Sequence, residues 1–140
     1  MKLLYDTALS FLNTPSIWGG YSFLGYDCSG LVQEILKSAG VDPPGDQTAQ
    51  ALFDHFRDTK NHISNMRDFG ALVFYGHFDS QIDHVALMMS PFRMIEAGGS
   101  SKDIVTPGQA AKAGAFVRIR PFRQQKLQGV FMPEYPYCVI

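Results

Sequence analysis

Tyr26-Asp27-Cys28-Ser29-Gly30-Leu31-Val32, with Gly19-Gly20 ahead of it, is the stretch on which the reading of this chain turns. It sets one cysteine at the head of a helix. Leu31, Val32, Ile35, Leu36 and Ala39 recur at helical spacing behind that cysteine, and Gly40 is a natural stop. The first amides of a helix have no acceptor inside it, and the macrodipole adds about half a positive charge at that end. Both favour an anion, so a thiol placed there is expected to ionise more readily than a free one. The plain alternative is a small buried residue packed at a helix head. What decides between the two is whether the rest of the chain supplies partners.

Working outward, residues 2–13 read as an amphipathic helix with Leu3, Leu4, Ala8, Phe11 and Leu12 on one side. Residues 14–25 read as a loop rich in glycine and aromatic side chains. Val41-Asp42-Pro43-Pro44-Gly45-Asp46 breaks the chain before a helix over 48–57 led by Ala51, Leu52 and Phe56. From Ala71 the texture turns to strands: 71–75, 84–89, 93–97 and 115–120 are short, apolar or alternating, and separated by turn residues. A small helix over 109–113 interrupts them, and 130–132 reads as a last strand before a tail rich in proline and tyrosine. Helices first and an antiparallel sheet afterwards predict an α+β fold, with N-terminal helices packed on a central sheet.

A chain of 140 residues suffices for one domain with its own core, and 1–140 is expected to be one. Twelve basic residues nearly balance thirteen acidic ones, a balance that calls for neither nucleic acid nor an anionic membrane surface. No apolar run reaches the length of a membrane span. Asp6 and Asn13 interrupt the hydrophobic stretch near the N-terminus, so no signal peptide is expected and synthesis in the cytoplasm follows. The two cysteines, Cys28 and Cys138, make no disulfide framework, although a single bridge between them would silence Cys28. None of His55, His62, His77 and His84 stands at zinc-ligand spacing with the cysteines, so no metal is expected.

A cysteine nucleophile needs a nearby base, and the base needs a group to orient it. His84 opens the strand His84-Val85-Ala86-Leu87-Met88-Met89, and imidazole titrates near neutral pH. Arg93-Met94-Ile95-Glu96-Ala97 is its hairpin partner across a turn near Pro91. With Ser90-Pro91-Phe92 as the loop, Met89 faces Arg93 and Ala86 faces Glu96, so Glu96 shares the face of His84. A two-residue turn at Pro91-Phe92 puts Glu96 on the opposite face, unless a bulge restores the register. On its own, Glu96 reads equally as a solvent-facing strand residue and His84 as a polar strand end. His55, on a surface helix, and His77, in a loop, are weaker candidates for the base.

Taken together, these segments resemble the NlpC/P60 family of cysteine peptidases, a papain-like group that cuts bacterial cell-wall peptides. Thr14-Pro15-Ser16-Ile17-Trp18-Gly19-Gly20 is similar to the family's T-P-Y-x-W-G-G segment, and Asp27-Cys28-Ser29-Gly30-Leu31-Val32 to its D-C-S-G-L-V motif. Leu72-Val73-Phe74-Tyr75 matches the strand after the family's G-D. His84-Val85-Ala86-Leu87 matches its H-V-G-I strand, and Met94-Ile95-Glu96-Ala97 the strand that follows. The resemblance covers residues 10–120. It implies a papain-like fold, Cys28 as nucleophile, His84 as general base, Glu96 as the polar group orienting the base, and no cofactor. It also implies that Asp27, Ser29 and Trp18 bind peptidoglycan stem peptides, and that an amide at the head of the Cys28 helix serves the oxyanion. Ser16 stands where the family has tyrosine, with Tyr21 and Tyr26 as candidates to replace its hydroxyl, and Ala71 stands for the aspartate of G-D. The late segment from Glu96 to Gly99 and from Ala115 to Pro121 also looks like short members encoded by bacteriophages and prophages. For such a member, action at the wall would follow phage-mediated release or assembly into a virion. Two other readings stay open: a non-catalytic wall-binding or virion-structural module, and a thiol acyltransferase or amidase on another substrate.

Overall fold

The computed structural model describes residues 1–22, 24–99 and 101–136. Cys138 lies outside them, and with it the bridge to Cys28. The elements run α1 (Lys2–Ser10), β1 (Tyr21–Ser22), β2 (Gly25–Tyr26), α2 (Cys28–Lys37), α3 (Ala49–Arg57), β3 (His62–Ser64), β4 (Leu72–Gly76), β5 (Ile82–Ser90), β6 (Arg93–Ala97), α4 (Pro107–Ala113), β7 (Val117–Pro121) and β8 (Leu127–Pro133). The expected α+β arrangement is the one adopted. Six strands pair antiparallel in the order β3-β8-β4-β5-β6-β7, and β1 with β2 forms a separate small ribbon.

The differences from expectation have local causes. The first helix ends at Ser10 rather than at 13, and Asn13 takes a left-handed φ of 70° that no helix can contain. The expected loop at 14–25 holds β1 and β2, whose strands of two residues are too short to show alternation. Strand β5 opens at Ile82, two residues before His84. Helix α4 starts at Pro107 because Thr106 and Gln109 form a capping box around it, with proline in the first turn where its missing N–H is harmless. Strand β7 is shifted to 117–121, β8 is longer than 130–132, and β3 was not foreseen.

Helix α2 begins where it does because Asp27 caps it, its Oδ1 accepting from the Gly30 amide at 2.6 Å. Leu31, Val32, Ile35 and Leu36 are wholly buried, and α2 packs on β5 and β6 while α3 packs on β5 and β8. Phe53 of α3 meets Phe74 of β4 edge-on, with centroids 5.3 Å apart. Each such large apolar side chain contributes about 1.5–3 kcal/mol on burial. The packing sets the N-terminus of α2 against the β5–β6 hairpin.

That hairpin has an irregular register. Ser90 pairs with Arg93 around a two-residue turn, but Met88 pairs with Met94 and Leu87 with Ile95, so Met89 is an extra residue bulged out of the ladder. Without the bulge the tight turn would point Glu96 away from His84. With it, the register beyond the turn is the one a three-residue loop would have produced, and both side chains lie on one face.

Candidate active site

Cys28 is the first residue of α2 and, among the described residues, a free thiol. Its Sγ lies 4.0 Å from the Asp83 carbonyl oxygen. The Gly30 amide is taken by the Asp27 side chain and the Leu31 amide by the Asp27 carbonyl, while those of Cys28 and Ser29 have no acceptor within the helix. They are donors at the position where charge on an adjacent oxygen would develop. Across from them, the His84 side chain is 19% exposed and lines the same groove as Cys28. Its Nε2 lies 2.5 Å from Glu96 Oε1, so Nε2–H donates to the carboxylate and the lone pair of the neutral ring is on Nδ1.

Glu96 is not the solvent-facing strand residue that its position on β6 alone would allow: it is 3% exposed. Its second partner is Arg123, whose Nη1 donates to Oε2 at 3.1 Å and Nη2 to Oε1 at 3.2 Å. Tyr75 of β4 braces that arginine twice. Its hydroxyl donates to the Arg123 carbonyl at 3.0 Å, and the guanidinium carbon sits 4.4 Å from its ring centroid. Burial opposes charge on both members of the His84–Glu96 pair, and in both the hydrogen bonds outweigh it. The nearby Cys28 thiol and the bond to Glu96 raise the imidazole from 6.5 to about 9, and bonds from His84 and Arg123 lower the carboxyl from 4.5 to about 2.

The three side chains line an open groove of about 730 Å³, which Trp18, Asp27 and Ser29 line as well. Trp18 is 53% exposed and free to meet a ligand. Ser29 is buried and its hydroxyl donates to Asp27 Oδ1 at 3.2 Å. Burial pushes the Asp27 carboxyl above its ordinary range, against the bonds from Gly30 and Ser29 that favour its charge. All six residues singled out in the sequence thus come together. His55 and His77 do not: His55 lies edge-on to Phe56 on α3, His77 is exposed after β4, and neither lines the groove.

Arg123 was missed, because it stands in the polar turn between β7 and β8 and carries no motif. The signal within reach was Glu96 itself, since a carboxylate facing inward demands a cation. Ser16 is fully buried with no hydrogen-bond partner for its Oγ among the described residues, and it does not line the groove. Neither candidate to replace its hydroxyl is placed there: Tyr26 packs edge-on against Phe11, and Tyr21 lines a different cleft. Ala71 is buried in the core, where an aspartate would need partners of its own.

Comparison with known proteins identifies the family. The NlpC/P60 family model matches residues 13–128. A γ-D-glutamyl-L-lysine dipeptidyl-peptidase of Bacillus cereus is 32% identical over 103 residues, which are 72% of this chain and 29% of that protein. The peptidoglycan endopeptidase RipB of Mycobacterium tuberculosis is 32% identical over 125 residues, covering 77% of this chain and 48% of that one. The chain therefore spans less than half the length of these two relatives. The solved structure of RipB superposes with a TM-score of 0.70 at 25% identity, covering 96% of this chain and 65% of that one. RipD of the same organism, a non-catalytic NlpC/p60 domain protein adapted to peptidoglycan binding, shares the fold with a TM-score of 0.67 at 19% identity over 93% of this chain and 94% of that one. With a match that spans both the cysteine helix and the histidine hairpin, the chain belongs to the NlpC/P60 family.

Proposed function

We infer that this protein is a cysteine endopeptidase or amidase acting on peptidoglycan stem peptides. The observation that carries the reading is Cys28 at the head of α2 facing, in one open groove, a His84 that Glu96 holds by hydrogen bond. Cys28 gives its proton to His84, and its sulfur attacks the carbonyl carbon of a bound amide. The tetrahedral oxyanion meets the amides of Cys28 and Ser29 at the head of α2. As that intermediate collapses, the C–N bond breaks and His84 protonates the departing amine, leaving a thioester on Cys28. Water then attacks the thioester while His84 takes its proton, and the acid product leaves as the proton returns to sulfur. Glu96 keeps the imidazole in one tautomer and orientation throughout. Trp18, Asp27 and Ser29 form the wall against which the peptide lies. The relatives named as peptidases of cell-wall peptides support the substrate class.

Clearance of purified cell walls, with mass spectrometry of the released muropeptides, tests this reading. Cys28→Ala is expected to lose at least about a thousandfold in rate, as nucleophile removal does elsewhere, and equal clearance by the variant would overturn it. Ser16 favours one second reading, wall binding without cleavage, because no hydroxyl from that position or from Tyr21 or Tyr26 lines the groove. Retention of the unsubstituted protein on walls with no fragment released is the outcome that reading requires.

A further inference from the structure

We propose that Arg123 is a positioning residue that sets the charge of the catalytic group, neutralising Glu96 so that a carboxylate can orient His84 without holding its proton too tightly. The proposal rests on the reading of Cys28 and His84 as nucleophile and base. Glu96 is almost wholly buried, and the guanidinium grips both of its oxygens at 3.1 and 3.2 Å. Tyr75 fixes the arginine from below by ring and hydroxyl, so the grip is built rather than incidental. Arg118, directly opposite Glu96 on β7, turns away and donates to the Gly114 carbonyl instead.

The titratable and charged groups around the imidazole are Cys28 from α2, Tyr75 from β4, Glu96 from β6 and Arg123 from the turn after β7, and Asp83 of β5 and Arg120 of β7 line the same groove. A bare carboxylate 2.5 Å from Nε2, shielded from water, stabilises the imidazolium strongly. An imidazolium held that tightly is a poor acid toward the leaving amine, and little neutral ring is left to activate water. Arg123 is the counterweight. Its Nη2 and His84 Nε2 both contact Glu96 Oε1, at 3.2 and 2.5 Å, so they stand at most about 6 Å apart; at an effective dielectric of about 40, between the surface and bulk-water values, that is worth about one pH unit on His84. Arg123 thus offsets part of the charge that Glu96 presents to the ring, while the carboxylate keeps its reach and geometry.

A charge cycle tests this. The His84 ring is titrated by NMR in protein with labelled histidine, in a Cys28→Ser background that removes the thiol from the curve. Arg123→Met is expected to raise the titration by about one pH unit. Glu96→Gln, which leaves Arg123 unopposed, is expected to lower it, and the double variant to fall between Glu96→Gln and the parent. Arg123→Lys keeps the charge and stays close to the parent. In the Cys28 enzyme, Arg123→Met moves the alkaline limb of kcat/KM upward in parallel. A purely structural arginine lowers the rate with the titration unmoved, and that result overturns the proposal. Should Arg123→Met fail to fold, Arg123→Gln takes its place, and an unchanged His84 titration there is equally fatal. The NMR readout needs no substrate, so a protein that cuts no cell wall sinks the functional reading and leaves this test standing.

Discussion

Gly30→Ala probes the contact that holds the cysteine in place. A Cβ on Gly30 would lie 2.4 Å from the Gly20 carbonyl oxygen and 2.8 Å from Asp27 Oδ1. The first is backbone and cannot swing aside, and that same oxygen accepts the Asp27 amide at 2.9 Å. Relief therefore requires the Gly19-Gly20 turn and the head of α2 to separate, straining the Asp27 cap. Overpacking of this kind costs about 1–3 kcal/mol and a lost cap about 1 kcal/mol, against a helix-propensity gain of at most about 1 kcal/mol. The net loss is about 2 kcal/mol, which for a chain of this size lowers the melting temperature by roughly 6–8 °C. Cys28 sits two residues away, so its displacement is expected to cut cell-wall clearance by about a hundredfold. Gly108 is the matched control: it lies in α4 with nothing within 4 Å of its virtual Cβ, and Gly108→Ala should gain stability by up to about 1 kcal/mol. Thermal melts by circular dichroism compare the three proteins. A Gly30→Ala protein that melts at or above the parent would refute the reasoning.

Three further outcomes are expected. The proton affinity of His84 rises from 6.5 to about 9 on folding, so its contribution to stability is complete below pH 6.5 and is lost as pH climbs through about 9; urea unfolding should show this decline in the parent and a flatter profile in His84→Gln, and identical profiles would contradict it. Gln50 of α3 accepts the Ile82 amide at 2.7 Å and donates to the Asp79 carbonyl at 3.0 Å, tying down the start of the strand that carries His84; Gln50→Ala should cost about 1–2 kcal/mol and speed hydrogen exchange at Ile82, and unchanged exchange there would disprove the tie. Ser16→Ala removes a buried hydroxyl with no partner among the described residues and should leave the melting temperature equal or higher, whereas a clear drop by calorimetry would mean that the hydroxyl is satisfied.

The parts of the fold that were legible in the sequence are those in which neighbours along the chain decide the outcome. Helix α2 follows from apolar spacing, and the hairpin alternatives follow from counting residues around Pro91. The bulge at Met89 was nameable as one of two ways to bring Glu96 beside His84, but nothing in Met88-Met89-Ser90 says which is used. Strand β3 escaped because its partner, β8, lies far along the chain and Ile63 is exposed, leaving no apolar alternation. Arg123 escaped for a related reason. Its function is set by Glu96, 27 residues earlier, and by the ring of Tyr75. A pairing of that range leaves no periodicity to read. Even so, a buried carboxylate on a strand next to a histidine strand poses a question whose answer has to be a cation.

Stability alone accounts poorly for what surrounds His84. A buried ion pair is weak evidence for stability, since desolvating its members costs several kcal/mol and an apolar pair of the same volume often packs as well. A bulge likewise interrupts a ladder that regular pairing would complete. Yet both irregularities occur within one hairpin and its neighbour, and both end at the same atom. The bulge turns Glu96 to the face of His84, and Arg123 makes it tolerable to leave Glu96 charged there. Remove the bulge and the carboxylate points away; remove the arginine and the buried carboxylate is left with His84 as its one remaining partner among the described residues. Each feature is costly by itself and makes sense only with the other, as expected where local rules are broken to hold one ring nitrogen in a fixed relation to a thiol.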